Sequence, residues 1–159
     1  MEKLSVTIIT KNEEKNIARC LESVKWADEI IVLDTSSTDR TVEICRQFTD
    51  QVFCVDWHGY GKQKNLCAGR TSNNWVLNID SDEEISSEGA EEIQAVLRGD
   101  SKYTVYQFPR KNFFAQRWVS YGGWYPDQTS RLYDKTQVSF TESQVHEKLV
   151  PNENVGSLK

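Results

Sequence analysis

Four carboxylates in five positions, Asp80-Ser81-Asp82-Glu83-Glu84, close an apolar run that reads Trp75-Val76-Leu77-Asn78-Ile79. Asp80 and Asp82 lie two apart, so on extended backbone both project to the same side. They can then share one divalent cation, Mn2+ or Mg2+, whose hard oxygen ligands lie at roughly 2.1 Å in the magnesium case. Like charges at this density repel unless a cation or solvent compensates them. Capping the next helix is the plainer role for such acids, but Ser86 or Ser87 already supplies that cap. A cation held at the end of a strand suits a phosphate group.

Two further apolar runs end in polar clusters. Leu4-Ser5-Val6-Thr7-Ile8-Ile9 leads into Thr10-Lys11-Asn12-Glu13-Glu14, and Glu29-Ile30-Ile31-Val32-Leu33 leads into Asp34-Thr35-Ser36-Ser37-Thr38-Asp39. In an open α/β sheet, ligands bind outside the carboxyl ends of the strands, near the point where strand order reverses. Asp34 and the serines after it also fit a plain turn, so the residue reads either way by itself.

The elements needed to hold these ends follow from periodicity. Asn12 is expected to cap a helix with Glu13 and Glu14 in its first turn, and Ile17, Cys20, Leu21 and Val24 recur at the spacing of one buried face. Ser36 as cap with Asp39 as its capping-box partner predicts a second helix through Val42, Cys45 and Phe48. A short strand over 51–55, a turn at Gly59 and Gly61, a helix over 62–68 closed by Gly69, and the strand over 75–80 come next. A helix opening at Ser86 or Ser87 runs through Ile93, Val96 and Leu97 to Gly99. Strand-helix alternation of this kind implies an α/β fold with a mostly parallel sheet and right-handed crossovers.

Beyond residue 100 the pattern changes to short strand-like runs at 103–109, 129–134 and 144–150, joined by an aromatic, glycine-rich loop. The chain is therefore expected to be one structural domain with an α/β half at 1–100 and a smaller mixed half at 101–159. A length of 159 residues suits that size. The formal net charge of −5 argues against a nucleic-acid partner, because phosphate-backbone affinity needs a basic face. Cys20, Cys45, Cys54 and Cys67 show no Cys-x-x-Cys spacing and no secretory leader precedes them, so four reduced thiols in a cytoplasmic protein are expected. No apolar stretch approaches the ~18 residues of a membrane span. The aromatics between Phe113 and Tyr125 leave peripheral contact with an inner membrane open.

Three further residues carry candidate chemistry. His146 and His58 are the two histidines; a lone histidine is commonly structural, and His58 reads as surface. Asp127 follows Tyr121-Gly122-Gly123-Trp124-Tyr125-Pro126, where an irregular loop is expected. Such an aspartate commonly only makes a turn, yet glycines and aromatics before a carboxylate also suit a pocket in which a ring stacks and a base reaches its hydroxyl. Neither Gly-x-Gly-x-x-Gly after the first strand nor Gly-x-x-x-x-Gly-Lys-Ser/Thr is present, which excludes the commoner phosphate loops.

Taken in order, Ile-Ile-Thr-Lys-Asn-Glu-Glu, Glu-Ile-Ile-Val-Leu-Asp-Thr-Ser-Ser-Thr-Asp, Gly-Lys-Gln-Lys-Asn and Asn-Ile-Asp-Ser-Asp-Glu resemble the family-two inverting glycosyltransferases of the GT-A fold. Trp-Tyr-Pro-Asp-Gln-Thr-Ser-Arg-Leu-Tyr and Val-His-Glu-Lys-Leu resemble the bacterial subgroup that builds lipopolysaccharide core. The resemblance implies a Rossmann-like sheet flanked by helices, a nucleotide-sugar donor, most simply a UDP-sugar, and a glycan or lipid-linked acceptor. It implies that Thr10, Lys11, Glu13 and Asp34 line the base pocket with Lys64 nearby, and that Asp80 meets ribose or metal. It further implies that Asp82 holds Mn2+ or Mg2+, that His146 completes the metal site, and that Asp127 is the general base. Thr35 stands where the family commonly has a second acid, and Ser36 where a glycine often follows. Relatives run on for many tens of residues past the position of His146, so a truncated chain is expected. Two alternatives stand beside this reading: a non-catalytic nucleotide-sugar-binding fragment, and a magnesium-dependent phosphotransferase of the haloacid-dehalogenase type, whose Asp-x-Asp follows the first strand of its core.

Overall fold

In the computed structural model, residues 1–99, 101–110, 127–143 and 146–159 are described, with backbone alone at 113–114 and 117–118. The apolar runs become the centre of a seven-stranded sheet. β1 (Leu4–Thr10) pairs in parallel with β2 (Glu29–Asp34) on one side and β4 (Trp75–Asp80) on the other, and β3 (Val52–Cys54) extends the sheet beyond β2. All seven residues of β1 are buried, as a strand covered on both faces requires. Asn78 in the middle of β4 donates to Thr7 Oγ1 at 3.2 Å, so a polar pair fixes register inside an otherwise apolar layer.

Helices cover these strands. α1 (Ile17–Val24) buries Ile17, Cys20, Leu21 and Val24, the predicted face, and α4 (Ser87–Arg98) starts at the cap Ser86, whose Oγ accepts from Gly89 N at 3.0 Å. Two predicted caps are corrected. α1 is preceded by Asn16, and α2 (Thr41–Cys45) by Arg40, neither with a side-chain cap. Asn12 and Ser36 both adopt positive φ, 52° and 53°. Asn12 Oδ1 accepts from Thr38 N, Asp39 accepts from Glu14 N, and Glu14 accepts from Arg40 N. These side chains tie the loop after β1 to the loop after β2, and Asp39 also accepts from Thr41 N at 3.0 Å at the start of α2. α3 (Tyr60–Gly69) begins before the predicted 62, so Gly61 is inside the helix.

The later half completes the same sheet. β5 (Val105–Arg110) and β8 (Asp127–Asp134) pair antiparallel, β8 also pairs antiparallel with β4, and β11 (Val155–Ser157) lies in parallel on β5, giving the order β11-β5-β8-β4-β1-β2-β3. β6 (Phe113–Phe114) pairs with β7 (Arg117–Trp118), and β9 (Ser139–Phe140) with β10 (Leu149–Val150). Of the expected strand over 144–150, Leu149–Val150 form β10 and 146–148 are not strand, while 144–145 lie outside the described residues. Asp127 is corrected from an irregular loop to the first residue of β8. The aromatic run from Tyr121 to Pro126 lies outside the described residues.

All four cysteines are unpaired, and burial pushes the Cys45 and Cys67 thiols up to about 12. Among the described residues, no helix is long and apolar enough to cross a membrane.

α3 meets the β9–β10 hairpin closely. A Cβ at Gly61 would lie 1.8 Å from the Thr141 carbonyl oxygen, a backbone atom that cannot swing aside, and Asn65 exchanges two hydrogen bonds with the Phe140 backbone one turn on. Gly61→Ala is therefore expected to lower stability by about 1–3 kcal/mol, the usual cost of overpacking. A urea unfolding midpoint measures it; a midpoint equal to wild type would mean that the hairpin is not held against α3.

Candidate active site

Register places three strand ends side by side. Thr10 pairs with Asp34 and Ile9 with Asp80, so β1, β2 and β4 finish at one level. Because β8 runs antiparallel to β4, its first residue, Asp127, comes to that same edge of the sheet, opposite Arg110 at the end of β5. Lys64 reaches in from α3. A cleft of about 560 Å³ opens there, and Lys64, Asp80, Arg110, Asp127, Arg131 and Glu147 are among its lining residues.

Charge alternates along this cleft. Glu147 Oε1 accepts from Lys64 Nζ at 2.6 Å, and the same ammonium stands 3.9 Å from Asp80. Arg131 donates to Asp80 at 2.9 Å and to Glu83 at 2.6 Å, and Arg110 donates to Asp127 at 2.8 Å while standing 3.7 Å from Glu83. Arg131 is 8% exposed, so its charge has little water around it and depends on those two carboxylates. Burial works against ionisation of Asp80, but Arg131 and Lys64 outweigh it and hold that carboxyl below the ordinary range. Glu83 goes the other way. Burial raises it and the Asp80 charge adds to the rise, although Arg131 opposes both. Arg131 itself is held above its ordinary value: burial disfavours its charge, and Asp80 and Glu83 overcome that.

The remaining candidates divide into those near the cleft and those apart from its lining. Asp34 is buried, and both carboxylate oxygens serve its own turn, accepting from Ser37 N at 2.9 Å and from Ser37 Oγ. Thr10 is buried with no partner for Oγ1 among the described residues, Lys11 is exposed, and Glu13 is half-buried with its carboxylate accepting from Asn16. These four sit at the β1 and β2 ends but do not line the cleft. Asp82 and His146 are exposed, His146 at φ 61°.

Among the described residues, no three His, Cys, Asp or Glu side chains gather as a metal-binding group, so Asp80, Asp82 and His146 do not form a closed set. The donor chemistry still fits a magnesium-like ion, which is commonly held by one or two carboxylates and completed by substrate phosphates. Asp82 is exposed and without a hydrogen-bond or ion-pair partner among the described residues, so its oxygens are open to such an ion.

Sequence reasoning missed Arg131, Arg110 and Glu83. A signal existed for Arg131, a lone cation between Ser130 and the apolar Leu132-Tyr133 in a strand that has to be buried. Nothing local marks Arg110, whose partner Asp127 lies 17 residues away.

The sequence matches the description "Glycosyl transferase family 2" over residues 5–147. The chain belongs to glycosyl transferase family 2. It is 37% identical to an uncharacterized glycosyltransferase of Rickettsia felis, with 98% of this chain and 57% of that protein aligned. It is 29% identical to the lipopolysaccharide core biosynthesis glycosyltransferase LpsC of Rhizobium meliloti, over 98% of this chain and 60% of the relative. The chain thus spans a little over half the length of these relatives. Residues 1–349 of TarS from S. aureus, in complex with UDP-GlcNAc, superpose with a TM-score of 0.70 at 20% identity, covering 98% of this chain and 56% of that one; the likeness shows the GT-A fold. Glucosyl-3-phosphoglycerate synthase from Mycobacterium tuberculosis, in complex with Mn2+, UDP and glucosyl-3-phosphoglycerate, superposes with a TM-score of 0.53 at 25% identity, over 67% of this chain and 43% of that one.

In this family 2 chain, Arg131 carries the heaviest electrostatic duty. Replacing it by methionine leaves Asp80 with Lys64 at 3.9 Å and Glu83 with Arg110 at 3.7 Å as the nearest remaining cations among the described residues. Removing one partner of a fully buried pair costs about 3–5 kcal/mol. With Asp80 37% exposed, the lower end of that range is expected. The sign with pH follows from protonation. Without the arginine that favours their charged forms, the two carboxylates take up protons more readily as pH falls, so the loss is larger at about pH 7.5 than at about pH 4. Chemical unfolding of Arg131→Met and wild type at the two pH values checks this, and an equal deficit at both would contradict it.

Proposed function

We propose that this chain is the donor-binding and catalytic part of an inverting glycosyltransferase that moves a sugar from a nucleotide-sugar, most simply a UDP-sugar, to a glycan or lipid-linked acceptor of the lipopolysaccharide type. The observation that carries the proposal is the cleft in which Asp80, Lys64 and Asp127 meet, beside the ends of β1 and β2. Support for a UDP-sugar comes from TarS, whose structure holds UDP-GlcNAc, and support for the acceptor class from the name of LpsC.

Each residue then has a part. Thr10, Lys11, Glu13 and Asp34 bind the base end of the nucleotide, with Lys64 beside them. Asp80 orients the ribose or a cation. Asp82 holds Mn2+ or Mg2+, with Asp80 and His146 as its further ligands; when bound, that ion offsets charge on the departing diphosphate. The synthase complex with Mn2+ and UDP supports this assignment. Lys64, Arg110 and Arg131 add fixed positive charge around the same cleft.

Asp127 is the general base. It takes the proton from the acceptor hydroxyl as that oxygen attacks the anomeric carbon, and the donor's bond to diphosphate breaks on the opposite face, so configuration inverts. Arg110 holds Oδ2 of Asp127 at 2.8 Å, so the proton goes to Oδ1 or Arg110 swings aside. An acceptor carried on lipid would place the chain at the cytoplasmic face of the inner membrane.

Asp127→Asn is expected to keep UDP affinity and to slow UDP release from the donor by roughly 100-fold or more, the usual weight of general-base catalysis. Coupled detection of UDP with an acceptor present makes the measurement. Near-normal release in the variant would move the role to another carboxylate. Firm UDP binding without release by wild type would make the chain a binding module.

A further inference from the structure

We propose that Trp57 and Tyr60 form the stacking platform for the nucleobase of the donor, an inference that rests on the nucleotide-sugar reading above. Three observations lead to it. First, these are the two most exposed aromatic side chains among the described residues, at 48% and 49%, and they lean on each other edge to face with centroids 4.7 Å apart. Exposed aromatic rings that touch each other present π surface on which a planar ligand can stack. A paired tryptophan and tyrosine offers a flat face already held in place.

Second, the loop that carries them lies at the base end of the candidate site. β3 pairs with β2 so that Cys54 stands beside Asp34, and Val55 N donates to the Asp34 carbonyl at 2.9 Å. Gln63, fully buried, binds Thr35 Oγ1 through its amide nitrogen and His58 N through its amide oxygen, so one side chain ties the Trp57-to-Tyr60 turn to the residue after Asp34.

Third, Tyr60 sits four residues before Lys64, which places the two on one face of α3, about 6 Å apart along its axis. Lys64 points into the cleft toward Asp80. A ligand whose phosphates lie by Asp80 and whose base end passes Lys64 extends along α3 toward the aromatic pair. Of the ligands that stack on aromatics, a heteroaromatic base attached to a diphosphate satisfies both ends.

Calorimetric titrations with UDP and with inorganic diphosphate, both in the presence of Mn2+, test the proposal on wild type, Trp57→Ala, Trp57→Phe and Tyr60→Leu. Stacking on one base is worth about 1–3 kcal/mol by alanine substitution, so Trp57→Ala is expected to weaken UDP about 5- to 150-fold. Diphosphate binding should be unchanged, Trp57→Phe should recover most of the UDP affinity, and Tyr60→Leu should show an intermediate loss. UDP affinity within twofold of wild type in both Trp57→Ala and Tyr60→Leu would overturn the proposal and leave the nucleotide-sugar reading standing. Equal weakening of UDP and diphosphate would also overturn it, as general disruption of the site. Loss of binding to anionic lipid vesicles with UDP affinity intact would assign the pair to a membrane surface instead. No UDP binding by wild type would overturn the functional reading together with this one.

Discussion

The end of β4 gathers acidic residues that the fold cannot leave uncompensated, and Arg131 is the answer to that constraint. Its guanidinium lies between Asp80 and Glu83, with almost no access to water. The arginine comes from β8, 51 positions along the chain from Asp80. The charge balance of the candidate site therefore exists only once the later half has docked between β4 and β5. The antiparallel insertion of β8 does two things at once: it neutralises the carboxyl end of β4, and it delivers Asp127 to the same cleft.

The consequence for chemistry is a site whose charges are already paired before any ligand enters. Lys64 is shared between Glu147 and Asp80, Arg131 between Asp80 and Glu83, and Arg110 between Asp127 and Glu83. In the proposed function a diphosphate would bring negative charge into this chain and compete with the carboxylates for the same cations, and an accompanying divalent ion would keep the sum near neutral. Asp82, open to solvent, is the carboxylate with nothing to give up.

Much of this was legible in the sequence, and the reasons are physical. β1, β2 and β4 are buried on both faces, so they read as unbroken apolar runs ending in polar knots, and a ligand edge follows from where those runs stop. The buried face of α1 and the Ser86 cap of α4 are local patterns and came out as read. The caps at Asn12 and Ser36 did not, because a capping residue satisfies backbone donors wherever it finds them: Asn12 accepts from Thr38 N in the neighbouring loop, while Asp39 divides its oxygens between Glu14 N of that loop and Thr41 N of its own helix. The strand position of Asp127 and the pairing of Arg131 with Asp80 rest on contacts between residues far apart in sequence, which no local pattern encodes. The metal set is the clearest gap between reading and structure: among the described residues Asp80, Asp82 and His146 are not gathered into one group, and in the proposed function phosphate would supply the remaining ligands.

The account turns on one claim, that the carboxylates at the end of β4 receive a nucleotide diphosphate together with a divalent cation. Calorimetric titration of UDP into the wild-type protein with and without Mn2+, repeated on Asp82→Ala, is the most direct test. The account predicts that Mn2+ tightens UDP binding severalfold or more in wild type and that the gain disappears in Asp82→Ala. UDP affinity that is the same with and without Mn2+ in wild type, or a gain that survives in Asp82→Ala, would contradict it.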